Sequence, residues 1–223
     1  MTPRSWLLLG SLVLAACGGE DAEASPPSTE TVSAPSELAT GAQPPSDDEM
    51  SLFQLELALE DQDGRPFRLE QLRGHPVLLT FFYASCDTMC PMIVSDARAV
   101  EAAVPEAERG ALRVVRVTID PAHDTAARLR ETASERGLPL DRWTLVRGSE
   151  ADVRTLASTL GMNYRPTPDG FAHNAILTIL DGRGVVAAQS LGTGQPVEPL
   201  VGGIVEIARS AAAQTSLTAA SPR

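Results

Sequence analysis

Short, nearly continuous apolar runs alternate with stripes of helical spacing along most of this chain. Val77 to Phe82 reads Val-Leu-Leu-Thr-Phe-Phe, the pattern of a central strand covered on both faces. Arg113 to Ile119 reads as the next strand and Trp143 to Val146 as a shorter one. Three helical stripes separate and follow these strands. The first carries Ile93, Val94, Ala97 and Val100 behind Pro91, which fits a first helical turn because its missing N–H is not needed there. The second, capped by Asp124 or Thr125, runs through Leu129 to Arg136 and is stopped by Gly137 with Pro139 beyond. The third opens on Ser149 and Asp152, spaced as in a capping box, and continues through Val153, Leu156 and Leu160. Hairpins are expected at both ends of this array: Leu55 to Leu59 with Pro66 to Leu69, and Asn174 to Leu180 with Val185 to Leu191 around Asp181-Gly182-Arg183-Gly184. A last helix spans about Val197 to Ala211. The alternation predicts an α/β fold, a central sheet flanked by helices, with an N-terminal hairpin. In that hairpin, Asp61-Gln62-Asp63-Gly64 has part of the spacing of an EF-hand loop, but Leu59 stands where the first carboxylate belongs, so it reads as a turn.

The ends of the chain follow other rules. Arg4 gives a positive start, Trp6 to Leu14 an apolar core too short to span a bilayer, and Leu14-Ala15-Ala16-Cys17 a cleavage site resembling the lipobox of bacterial lipoproteins. Residues 1–16 are therefore expected to be a lipoprotein signal peptide and Cys17 the acylated N-terminus, which makes the chain extracytoplasmic and lipid-anchored to a bacterial membrane at its periplasmic face. Residues 17–50 contain no basic side chain and are dominated by small, proline and acidic residues, a composition that cannot bury enough apolar surface to order itself. They read as a tether with a reach of roughly 30 Å. Residues 51–210 have the size of one domain, and 211–223 read as a flexible tail. The net charge of −11, with no lysine anywhere, disfavours nucleic acid and anionic lipid headgroups as partners.

Chemistry concentrates at Cys86 and Cys90, which follow the Val77 to Phe82 run directly. Four positions apart on an incipient helix, their Cα atoms lie about 6 Å apart, which suits a shared metal ion and also a disulfide. The helix N-terminus is expected to lower the thiol pKa, favouring metal binding and thiol exchange alike. Thiolates are soft ligands for Cu(I) or zinc, and one imidazole added to two sulfurs gives a set suited to copper. His173, before the closing hairpin, could supply that nitrogen, but from the residues alone a lone histidine there reads more readily as a core or surface residue. His75, in a turn before Pro76, and His123, in a polar loop, read as structural or solvent-exposed. Met89 reads as a packing residue, and nothing in the sequence brings Tyr83 or Tyr164 to the thiols.

Three motifs in order and spacing, Cys86-x-x-x-Cys90-Pro91, Val117-Thr118-Ile119-Asp120-Pro121-x-x-Asp124-Thr125 and Phe171-Ala172-His173-Asn174, together with Trp143, resemble the Sco family of thioredoxin-fold copper chaperones. The resemblance covers nearly the whole domain. One departure is Asp87, where many members carry proline. The family implies a thioredoxin-like fold with a central mixed sheet, copper held as Cu(I) or Cu(II) by Cys86, Cys90 and His173, and Asp120 as a residue that orients His173 or tunes the loop. It also implies ligand exchange rather than catalysis, a copper donor protein, and delivery to cytochrome c oxidase subunit II or another cuproprotein for assembly of the binuclear copper centre. The alternative is a thiol-disulfide oxidoreductase that needs only Cys86 and Cys90. A peroxiredoxin-like peroxidase is weaker, because both thiols lie at one helix start and the threonine-containing peroxidatic motif is not evident.

Overall fold

The computed structural model describes residues 51–219. The expected signal peptide, Cys17 and the tether, and residues 220–223 of the expected tail, lie outside the described residues.

The run from Val77 to Phe82 is strand β3 in the numbering used below, and all of its residues are buried. In chain order the strands are β1 (Leu59–Asp61), β2 (Pro66–Phe67), β3 (Val77–Phe82), β4 (Arg113–Thr118), β5 (Trp143–Gly148), β6 (Tyr164–Thr167), β7 (Gly170–His173), β8 (Ile176–Leu180) and β9 (Val186–Leu191). The helices are α1 (Met89–Ala103), α2 (Glu106–Arg109), α3 (Ala126–Glu135), α4 (Glu150–Thr159) and α5 (Glu198–Ala219). Seven strands form one sheet in the order β2-β1-β5-β4-β3-β8-β9. Strands β3, β4 and β5 are parallel neighbours, with Val77 beside Arg113 and Phe82 beside Thr118, whereas β1 and β8 join antiparallel. The expected mixed central sheet with an N-terminal hairpin is therefore present, and helices flank it.

The caps explain where the helices begin. Thr125 accepts from the Arg128 N–H and Ser149 from the Asp152 N–H, each satisfying a first-turn donor. Gly137, at φ +56°, supplies the left-handed residue that ends α3. Trp143 is fully buried because its indole N–H has a partner: Nε1 donates to Glu101 Oε2 at 3.0 Å, while Arg142 Nε donates to Oε1 at 2.8 Å. One carboxylate thus ties α1 to β5.

Two elements differ from expectation. Helix α5 runs past Ala211 to Ala219, because Ala211-Ala212-Ala213-Gln214 has strong helix propensity and no glycine or proline interrupts it before Pro222. The residues that read as a tail from 211 are in part helix. Strands β6 and β7 form a separate two-stranded ribbon, with Tyr164 opposite His173 and Thr167 opposite Gly170. Its turn, Pro168-Asp169-Gly170 with Gly170 at φ +123°, is a proline-aspartate-glycine turn signal that the sequence reading passed over.

Candidate metal centre

Strand β3 delivers the cysteine loop from the carboxyl edge of the parallel strands, where α/β sheets place binding groups. The Cys86 N–H donates back to the Tyr83 carbonyl at 3.2 Å, closing a tight turn. Thr88, the residue before α1, contributes no side-chain cap. The sulfur of Cys86 takes that place, accepting the Cys90 N–H at 3.3 Å. Cys90 is fully buried, and its Sγ lies 3.8 Å from the Tyr83 carbonyl, to which the thiol donates.

These contacts make the thiols unequal. Burial raises the Cys86 pKa, but hydrogen bonds from the Cys90 side chain and N–H, the Tyr83 hydroxyl and the Thr88 N–H outweigh it and hold the thiol below its usual range. Burial pushes Cys90 up to about 12. Both cysteines are free thiols.

The loop is fixed by residues outside it. Asp124, 3 % exposed, accepts from the Ala84 N–H at 3.0 Å and from the Thr118 hydroxyl, joining the cysteine turn to the end of β4. Arg147 holds the Asp124 and Pro121 carbonyls from below, each at 2.9 Å. Arg136 Nη2, at the end of α3, donates to the Cys86 carbonyl at 3.0 Å. Arg116, on β4, is fully buried with its guanidinium carbon 4.4 Å from the Phe82 ring centroid. None of its side-chain nitrogens has a hydrogen-bond partner among the described residues. Burial lowers the Arg116 pKa to about 10, with the two cysteines acting the other way, so the group stays cationic at neutral pH.

His173 ends β7, with its ring edge-on to Tyr83 at a centroid separation of 6.0 Å; Tyr83 also meets Phe171 at 5.2 Å. Its Nδ1 lies 3.0 Å from the Asn174 carbonyl. A carbonyl only accepts, so Nδ1 carries the proton and Nε2 keeps a lone pair for a metal. The two cysteines touch, and the Tyr83 ring packs edge-on against His173. Among the described residues no group of three His, Cys, Asp or Glu side chains is assembled to hold an ion. Asp120 is not joined to His173: its carboxylate meets His123 Nδ1 at 2.8 and 3.0 Å, an exposed pair in which the Asp120 hydrogen bond raises the His123 pKa. Met89, expected to pack on the core, is instead exposed at the helix start.

Sequence reasoning missed the parts played by Asp124, Arg116 and Arg136. A signal existed for Arg116, a charged residue inside Val114-Val115-Arg116-Val117, where a strand covered on both faces has no use for charge.

The SCO1/SenC family model matches residues 45–208. A Stutzerimonas stutzeri protein assigned to copper binding is 31 % identical over 121 residues, which cover 54 % of this chain and 57 % of that protein. The chain thus matches little more than half the length of that relative. Among solved structures, a SCO1/SenC family lipoprotein from Bacillus anthracis superposes with a TM-score of 0.62 at 21 % identity, covering 70 % of this chain and 95 % of that one. The Arabidopsis thaliana ScoI structure with copper bound gives 0.60 at 21 % identity, covering 69 % and 96 %. The fold is the thioredoxin-like fold of these proteins, and with residues 45–208 matched, this chain belongs to the SCO1/SenC family.

Proposed function

We propose that this protein is a membrane-tethered copper chaperone that binds copper at Cys86 and Cys90, receives it from a donor protein, and delivers it to cytochrome c oxidase subunit II or another cuproprotein. The observation that carries this is the contact between Cys86 Sγ and the Cys90 N–H at the start of α1, which brings two soft donors together at one helix end. Two thiolates suffice for a linear Cu(I) site, and the His173 Nε2 lone pair completes a set able to take Cu(II). Because the imidazole rides on a separate ribbon, it closes onto the pair after the sulfurs bind. Transfer is then ligand exchange, with incoming thiolates replacing Cys86 and Cys90 one at a time. Asp120 tunes the neighbouring loop through His123 rather than orienting His173.

The anchor belongs to the same proposal: acylated Cys17 and the 17–50 tether hold the domain at the periplasmic face of a bacterial membrane. No helix among the described residues is long and apolar enough to cross a membrane. Cys17→Ala should leave the domain soluble after signal processing, measured by membrane fractionation; tight retention of the processed, unlipidated chain would refute the anchor.

The inequality of the thiols favours a second reading, thiol-disulfide exchange. The Cys86 thiolate would attack a partner disulfide and Cys90 would resolve the mixed disulfide, passing two electrons to the partner and leaving a Cys86–Cys90 disulfide. His173→Ala separates the readings. As a chaperone, the variant loses Cu(II) binding and weakens Cu(I) binding, and oxidase assembly falls with it. As a reductase, it keeps its exchange rate within about threefold, since that rate depends on thiolate character and access. Intact oxidase assembly with copper binding lost would sink the chaperone reading.

A further inference from the structure

We propose that Tyr83 is the positioning residue that couples the strand carrying His173 to the cysteine turn, its backbone closing the turn and its ring holding β7. What the imidazole then does rests on the copper reading above; the coupling itself does not.

Tyr83 directly follows β3, and its backbone and its ring serve different partners. The carbonyl accepts the Cys86 N–H at 3.2 Å and the Cys90 thiol at 3.8 Å. Tyr83 is 8 % exposed, and its ring lies against three of the four residues of β7. The ring centroid is 5.2 Å from that of Phe171 and 6.0 Å from that of His173, the latter at 82°, close to perpendicular. Phe171 and His173 are two apart on the strand and so project from one face, which the tyrosine spans. At Gly170 a β-carbon would stand 2.9 Å from the Tyr83 hydroxyl oxygen, so a bare backbone there lets the ring approach closely.

Strand β7 has no ladder to the seven-stranded sheet; it pairs with β6 alone. Arg154 of α4 lies over the Tyr164 ring, its guanidinium carbon 5.4 Å from the centroid, but that contact falls on β6. An edge-to-face ring pair shifts an equilibrium by roughly two- to tenfold. Tyr83, meeting two rings of β7, therefore sets how closely that strand stays on the turn.

The test uses Tyr83→Leu, which removes the ring, Tyr83→Phe, which keeps it, and Phe171→Leu, which removes a neighbouring ring without touching the cysteine turn. In the full-length, reduced, metal-free protein, backbone hydrogen exchange is read for residues 164–173 and for β3 and β8. Y83L should speed exchange in the ribbon about tenfold and leave the two sheet strands at the parent rate. F171L should do the same about threefold, and Y83F should match the parent. With copper, Y83L should lose about tenfold in Cu(II) affinity, its Cu(II) EPR spectrum changing with it. Its Cu(I) affinity, by competition with bicinchoninate, should stay within about threefold because both sulfurs remain. Ribbon exchange at the parent rate in Y83L overturns the coupling. So does a rise spread equally over β3 and β8, the sign of a core-packing residue, or an equal loss of Cu(I) and Cu(II). Should Y83L not fold, F171L decides: exchange at the parent rate in its ribbon overturns the coupling. If the parent fails to retain copper while Y83L still loosens the ribbon and Y83F does not, the copper reading falls and the coupling stands.

Discussion

Cys86→Ser and Cys90→Ser should each abolish retention of Cu(I) against a competing chelator while leaving the fold in place. A serine hydroxyl is a hard, neutral donor and cannot replace a thiolate for a soft monovalent ion, so one remaining sulfur is insufficient. Stability should change by less than about 1.5 kcal/mol, because serine takes over the local hydrogen bonds. At position 86 the hydroxyl can accept the Cys90 N–H that Sγ now accepts, and serine is among the best helix-capping residues. At position 90 it can donate to the Tyr83 carbonyl as the thiol does. Metal analysis after gel filtration, paired with thermal melting, checks both halves. Copper retained at the parent level by either variant would remove the pair from the proposed site.

Asp124→Ala should be the most damaging change that touches no proposed ligand. The same carboxylate oxygen serves the Ala84 N–H and the Thr118 hydroxyl, so its removal orphans two buried donors at the root of the cysteine turn. At about 1–3 kcal/mol for each of the two unsatisfied groups, a loss of roughly 2–6 kcal/mol is expected. Asp124→Asn keeps an acceptor there and should be mild. Its pH dependence gives an independent check. Burial raises the Asp124 pKa above its usual 3.8, so the protonated form is favoured in the fold. The stability this contributes is complete below the unfolded value and is lost as pH rises through the folded one. Measured by denaturant melts, the asparagine variant should therefore gain on the parent between acid and neutral pH. An alanine variant as stable as the parent would show that the turn does not depend on Asp124.

The sheet was legible in the sequence because its signals are dense. An unbroken apolar run gave β3, serine and threonine caps gave the starts of α3 and α4, and the Asp181-Gly182 turn gave the β8–β9 hairpin. The opening hairpin was harder: its strands cover only Leu59–Asp61 and Pro66–Phe67, too short for alternation to fix their ends. The cysteine pair and the family were readable from spacing. Their surroundings were not, since Asp124 could be seen only as a cap or motif residue, and its inward turn toward Ala84 depends on β3 and β4 lying side by side. The partner of Asp120 was hidden for a similar reason: three residues of local chain bring His123 to its carboxylate, while His173 sits on another ribbon.

That ribbon would make the proposed copper site a vice with one fixed jaw. The sulfurs are set by the seven-stranded sheet, whose central strands move only if the core moves. The imidazole is borne by two short strands with only each other as hydrogen-bonding neighbours, an arrangement marginal in isolation, and it meets the fixed jaw through the edge of the Tyr83 ring. Opening such a jaw breaks no bond of the main sheet. Under the proposed copper role, grip and release would fall to different parts of the chain, with the nitrogen the first donor to let go when cargo leaves and the last to arrive when it is loaded.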